Sequence, residues 1–180
     1  MKNFDKKKIY LKEKISQFLL SNGVRDSSLR NIADACGTSD RMLLHYFSNK
    51  EEIMSETLLL ITENFIDILK ATGDKKFSLK EMIDFVKSII NENTVRPYIN
   101  LFLELISLAG AKIDPYFRTA QRMGKIFYSW IENTLHFTNE ENKDEIISYA
   151  FILIEGIVVL NALNFNEMIN KSVDYLSREV

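Results

Sequence analysis

The chain is poor in the residues that staple, break or catalyse. Its 180 residues include one cysteine, two prolines and two histidines. A lone Cys36 closes no intrachain disulfide, and the chain reads as intracellular. Two histidines, His45 and His136, with no Gly-rich phosphate loop and no His-Glu-x-x-His pair, leave no catalytic or metal-ligating constellation. An enzyme is therefore the weakest class, and no metal or cofactor is expected. The formal net charge of −2 gives no whole-chain pull toward nucleic acid or anionic lipid. The start MKNFDKKKIY lacks the apolar core of a secretory signal. The most apolar stretch, YAFILIEGIVVLNALNF, is interrupted by Glu155, Gly156 and Asn161. A helix buried between protein surfaces accounts for it better than a membrane span does. The expectation is a soluble cytoplasmic protein.

What is present is helical patterning. Apolar residues form 46% of the chain, enough for a real core, and they recur at helical spacing with no convincing alternating strand. Leu11, Ile15, Phe18 and Leu19 share one face of a first helix that stops at Ser21-Asn22-Gly23. A second helix is expected from Ser28 to Cys36, a third from Ser39 to Tyr46, and a fourth from Asn49 to Gly73. Ser78-Leu79-Lys80-Glu81 reads as a capping box opening a fifth helix that ends near Asn93. Pro97 and Pro115, the latter after Asp114 as N-cap, mark two more starts. Further helices are expected at about 97–110, 115–136, 143–163 and 166–178. The fold class is all-α, with about nine helices.

The segment SLRNIADACGTSDRMLLHYFSNKEEI, residues 28–53, carries the most information. Gly37 follows the last apolar position of the second helix, where a left-handed C-cap is expected. Ser39 caps the third helix, so the connection is only Gly37-Thr38-Ser39. A Gly turn this short between two helices is the signature of a helix-turn-helix. Ala33 permits close crossing, with Leu29, Ile32, Cys36, Leu43 and Phe47 facing inward. Asp40, Arg41, Leu44 and His45 are left facing outward, where a second helix of this kind meets the major groove. Lys50 opens the fourth helix beside its positive N-terminus, which suits either a bound phosphate or simple exposure beside Glu51 and Glu52. Cys36 is read as a small packed hydrophobe rather than a redox sensor. Lys2, Lys6, Lys7, Lys8 and Lys12 form either a solvated basic tail or a source of phosphate attraction. Residues 1–56 carry 10 Lys and Arg against 8 Asp and Glu, and the rest carry 13 against 17.

This segment resembles the DNA-binding region of the TetR family of bacterial transcriptional regulators. The matching residues are Ser27-Ser28, Ile32-Ala33, Gly37, Ser39, Leu43, His45-Tyr46-Phe47 and Lys50-Glu51-Glu52, within a match spanning about residues 9–56. The resemblance implies a three-helix DNA-binding head over residues 1–50 and a helical ligand-binding and dimerisation domain over residues 51–180. By position it assigns Ser28, Tyr46 and Lys50 to the DNA backbone and Arg30, Arg41, Met42 and Leu44 to bases. Arg41 is the candidate for a bidentate guanine contact. Asp40 stands where basic or neutral residues are usual, Arg41 where Gly is frequent and Leu44 where Tyr is frequent, which bears on which operator is read. Asp40 either accepts from cytosine or caps the helix and holds Arg41. His45 reaches phosphate or packs half-exposed within the head.

Beyond the head, the last two helices are apolar over more than one face and need burial on two sides. Pairing with the same helices of a second copy supplies it, giving a homodimer whose two heads read a near-palindrome of double-stranded DNA. Phe65, Met82, Phe85, Phe102, Tyr116, Met123, Phe127 and Trp130 suit the lining of an adaptable apolar pocket for a small-molecule effector, or an ordinary core. Glu104, on an otherwise apolar helix, pairs either with a cationic ligand or with a Lys or Arg of the same chain. The resemblance implies a ligand-responsive repressor whose fourth helix links pocket to head. The alternatives are an activator, or a helical small-molecule-binding module whose head does not repress.

Overall fold

A computed structural model describes residues 3–71, 76–137 and 142–179, with side chains described through residue 176. Lys2 and Gly73 of the expectations above lie outside the described residues. Among the described residues there are nine helices and no strand. They are α1 (Asn3–Asn22), α2 (Leu29–Ala35), α3 (Asp40–Tyr46), α4 (Lys50–Lys70), α5 (Leu79–Ile89), α6 (Arg96–Gly110), α7 (Tyr116–Thr134), α8 (Lys143–Ala162) and α9 (Asn166–Glu179). The all-α expectation holds, and most boundaries fall within a residue or two of those read from the sequence.

The differences have local causes. α5 stops at Ile89 rather than near Asn93, because the Glu92 N–H turns back to the Ile89 carbonyl (2.9 Å) in a tighter turn. α6 starts at Arg96, which places Pro97 inside the first turn, where its missing N–H is harmless. The Asp114 carboxylate, expected to cap α7, instead pairs with Arg118 at 2.9 Å.

The helices group into two compact units, Met1–Phe65 with Asn100–Gly124, and Ile66–Ile99 with Lys125–Val180. Compactness thus follows a different line from the domain boundary expected at residue 50, since α4, α6 and α7 each give residues to both units. The first unit buries Leu11, Ile15 and Leu19 of α1 with Ile32, Leu43, Phe47, Leu58 and Ile61. Each such side chain contributes roughly 1.5–3 kcal/mol. The second unit buries Met82, Ile83 and Val86 of α5, Ile147 and Ala150 of α8, and Ile169 and Val173 of α9. Its buried Asn161 amide is satisfied on both atoms: Oδ1 accepts from Arg96 Nη1 and Nδ2 donates to Asn166 Oδ1, each at 3.0 Å. Phe77 and Leu135 form an isolated bridge, with Phe77 N–H donating to the Thr134 carbonyl (2.9 Å).

Among the described residues α8 is the one helix long and apolar enough to cross a membrane. Its outer face and that of α9 leave Tyr149, Ile152, Leu163, Met168 and Tyr175 exposed.

Candidate nucleic-acid interface

α3 has seven residues, too few to be stable alone, and is held from behind. Leu43 and Phe47 are fully buried against the core of the first unit. At its start the Ser39 hydroxyl accepts from the Met42 N–H (3.3 Å), satisfying one orphan donor. The turn before it is a Schellman motif: Thr38 N–H donates to the Ala33 carbonyl and Gly37 N–H to the Asp34 carbonyl, each at 3.0 Å. Gly37 sits at φ 62°, the left-handed conformation that the motif requires of this position.

The expected inside and outside are largely realised. Ile32, Ala33, Leu43 and Phe47 are buried, while Leu29 and Cys36 are half-buried. Ser28, Arg30, Asp40, Arg41, Met42, Leu44 and His45 are exposed, and Tyr46 and Lys50 are half-exposed. Met42 and Leu44 expose 43% and 44% of their surface, high for apolar side chains on so short a helix. Ser28 caps α2 by accepting from the Asn31 N–H (3.1 Å), which leaves its hydroxyl proton free to donate. Asp40 is not the cap of α3, since Ser39 has that place. The Cys36 thiol is pushed above its ordinary pKa by burial, with Lys14 and Lys7 opposing, so it stays protonated and poorly nucleophilic.

Three supports of this surface have partners that the sequence pattern does not reveal. Phe4, near the start of α1, lies against both aromatic residues at the end of α3, with ring centroids 5.7 Å from His45 and 4.8 Å from Tyr46. His45 is thus more exposed than a packed residue and still braced by rings. Lys8 pairs with Glu52 and Glu56 of α4 at 2.8 Å each, and its ammonium lies 4.8 Å from the Phe47 ring. Burial opposes the Lys8 charge, but the two carboxylates hold its pKa above the usual value. Lys8, and Lys12 through Glu56 at 3.6 Å, are therefore latches between α1 and α4 rather than parts of a free basic tail. Glu52 also accepts from the Ser48 N–H (2.7 Å), while Asn49 Oδ1 accepts from the Glu52 N–H (2.8 Å). Lys8 first, then the Ser48 hydroxyl and N–H, hold the Glu52 carboxyl at about 2.

The third support is Glu104, and it corrects an expectation. Its Oε2 accepts from Val24 N–H (2.7 Å) and Oε1 from Arg25 N–H (2.8 Å), with Arg25 Nε 3.7 Å away. The carboxylate is spent on the turn between α1 and α2 and is not a free counter-charge for a ligand. The pairing that the sequence left open within the chain involves Arg25, but two backbone N–H groups dominate it. Tyr116 lies beside buried Ser27 in the same turn, and burial raises its hydroxyl pKa.

The other pocket candidates are divided between the two units. Phe65, Phe102 and Met123 belong to the first unit, with the Phe65 and Phe102 rings 5.7 Å apart. Met82, Phe85, Phe127 and Trp130 belong to the second, where Met82 is core and Phe85 stacks on Phe77 at 5.4 Å. Trp130 lines a cavity of about 660 Å³ there, whose other walls include Leu69, Phe77 and Ile126. Aromatic content indicated helices rich in packing residues but could not say which of them border empty space.

An exposed, seven-residue second helix, capped, turned by glycine and braced from behind, defines a helix-turn-helix protein on an all-helical body. Residues 17–57 match the model of the family described as bacterial regulatory proteins, tetR family. Over this segment the chain is similar to TetR-family transcriptional regulators, as the resemblance read from residues 28–53 implied. It is 25% identical over 167 residues to the HTH-type transcriptional regulator PksA of Bacillus subtilis (strain 168), covering 86% of this chain and 78% of that one. In fold it is similar to a Saccharomonospora viridis transcriptional regulator in complex with choline, with a TM-score of 0.66, 14% identity and 97% of each chain covered. It is also similar to the fatty acid degradation regulator FadR of Bacillus halodurans, with a TM-score of 0.53, 15% identity, and 85% and 88% covered.

Proposed function

We propose that this protein is a ligand-responsive repressor that binds a near-palindromic operator as a homodimer in the cytoplasm. The observation that carries the reading is the outward face of α3, where Arg41, Met42 and Leu44 are exposed on a helix that contributes little but Leu43 to the core. Such a face is costly in water and useful in a major groove. Arg41 reads guanine through O6 and N7, worth roughly 1–3 kcal/mol of discrimination, and Met42 and Leu44 meet thymine methyl groups. Arg30 contacts a neighbouring base, and Asp40 accepts from cytosine N4. Ser28, Tyr46 and Lys50 hold phosphates, Lys50 from the first turn of α4 where backbone N–H groups add to the attraction. His45, braced by Phe4, adds a phosphate contact at the end of α3.

Two heads are needed to read successive major grooves roughly 34–36 Å apart. The exposed apolar residues of α8 and α9 support pairing with the same helices of a second copy, which buries them in a four-helix interface. The same pairing accounts for the apolar length of α8 without a membrane. α4 follows α3 after a three-residue link and runs to Lys70, so it is the proposed link between effector and head. An effector releases the operator only by binding the non-DNA geometry more tightly than the DNA-bound one. The Saccharomonospora viridis relative was solved with choline, and small-molecule response is carried over to this chain from such relatives and not its ligand.

The test is binding of purified full-length protein to the DNA upstream of its own coding region, beside a scrambled duplex, across a salt series. Specific binding lost with Arg41→Ala, and weakened on every sequence with Lys50→Ala, supports the reading. A folded dimer that binds no DNA at low salt refutes it.

A further inference from the structure

The cavity lined by Trp130 has a one-sided charge pattern. Leu69, Phe77 and Trp130 form apolar walls, and Lys70, Lys76 and Lys125 stand around them, with no carboxylate among the described lining residues. Three cations on one cavity are unexpected where residues 57–180 carry 13 Lys and Arg against 17 Asp and Glu. Lys70 and Lys125 make no ion pair among the described residues, and both are exposed at the rim. Lys76 donates to the Asn133 carbonyl (2.6 Å) in the last turn of α7, which leaves two of its three donors without a partner among the described residues.

The helix ends at this site argue the other way and must be weighed. α4 ends at Lys70 and α7 at Thr134, and each C-terminus contributes about half a negative charge. Two such ends offset about one of the three lysine charges, so the mouth remains positive. The cavity volume of about 660 Å³ lies within the range of about 300–1,000 Å³ usual for small-molecule sites.

We infer that this cavity binds an apolar molecule bearing one anionic group, its body against Trp130 and Phe77 and its carboxylate among Lys70, Lys76 and Lys125. The inference deepens the proposed ligand response by giving the effector a chemical class, and it rests on that reading only in calling the ligand an effector. The apolar walls supply affinity through buried area, and the lysines select the sign of the charged end.

Trp130 is the chain's one tryptophan, so its emission reports occupancy of the cavity directly. The experiment titrates decanoate, decanol and decyltrimethylammonium, each below its micelle concentration, into the purified full chain without DNA. A saturable change with decanoate at least tenfold tighter than decanol, with decyltrimethylammonium weakest, is expected. The decanoate advantage should shrink as salt is added. The double variant Lys70→Ala/Lys125→Ala, which alters only exposed side chains, should keep the parent circular dichroism. It should lose at least tenfold in decanoate affinity while its decanol affinity stays unchanged. Decyltrimethylammonium binding as tightly as decanoate, an unaltered double variant, or no saturable change with any of the three overturns the inference. None of these outcomes touches DNA binding, and loss of DNA binding leaves the titration intact.

Discussion

Two left-handed glycines flank α2: Gly23, at φ 80°, closes α1, and Gly37, at φ 62°, closes α2. Both turn the chain sharply, but they are held in different ways. Gly37 is held by its own neighbours, through the Schellman pair to Ala33 and Asp34, and a Cβ added there would meet nothing within 4 Å. Gly23 has its N–H on the Leu19 carbonyl (2.8 Å), but the next two N–H groups go to Glu104, about eighty residues away in sequence. A Cβ on Gly23 would run into that carboxylate. The first turn is a local motif. The second depends on tertiary structure, and it sets the entry of the chain into the recognition segment.

The largest expected effect comes from breaking the remote clamp. Glu104→Ala leaves two backbone N–H groups without their charged acceptor, and should cost about 3 kcal/mol of stability at typical values for bonds to charged groups. Thermal or urea unfolding measures it, and DNA affinity should fall with it because the α1–α2 turn loosens. Gly23→Ala should cost about 2 kcal/mol or more from the left-handed backbone and the collision together. In a Glu104→Ala background the same substitution should cost less, and a double-mutant cycle reads that coupling. Equal costs in both backgrounds would mean that the clamp and the glycine act independently.

Gly37→Ala is the local counterpart. With open space around the Cβ, only the backbone penalty of about 1 kcal/mol remains, and no second-site change should alter it.

The smallest effect expected concerns the latch on α4. The Glu52 carboxyl sits at about 2 against an ordinary value of 4.5, so its contribution is fully present above pH 4.5 and is lost as pH falls toward 2. Glu52→Gln should cost about 1 kcal/mol or less at pH 7, given partial exposure of the pair. The difference from the parent should shrink as pH falls from 4.5 through 2, as a pH series of urea midpoints would show.

The two turns also explain what could be read in advance. Gly37, Ser39, Leu43 and the outward placing of Asp40, Arg41 and Leu44 follow from spacing along some twenty residues, because capping and helical periodicity are local. Glu104 was recognised as an anomaly on an apolar helix, but its partners are main-chain N–H groups, which no side-chain pattern announces. Phe4 among lysines gave no hint of its place against His45 and Tyr46. Lys8 and Lys12 looked like a basic tail because the acids that bind them lie on α4. The apolar candidates cannot be sorted by sequence for a physical reason: Met82 in the core and Trp130 at a cavity satisfy the same hydrophobic pattern. Only the three-dimensional arrangement shows Lys70, Lys76 and Lys125 around one cavity.

The central claim is that the exposed face of α3 reads a two-fold-related DNA sequence. Selection of duplexes from a random pool by the purified protein, followed by sequencing, tests it most directly. The account predicts enrichment of a near-palindrome with half-sites about one helical turn apart, bound by an even number of chains, and a changed base preference within each half-site for Arg41→Ala. A folded protein that enriches no sequence, or an Arg41→Ala variant that selects the parent's sequence unchanged, would contradict it.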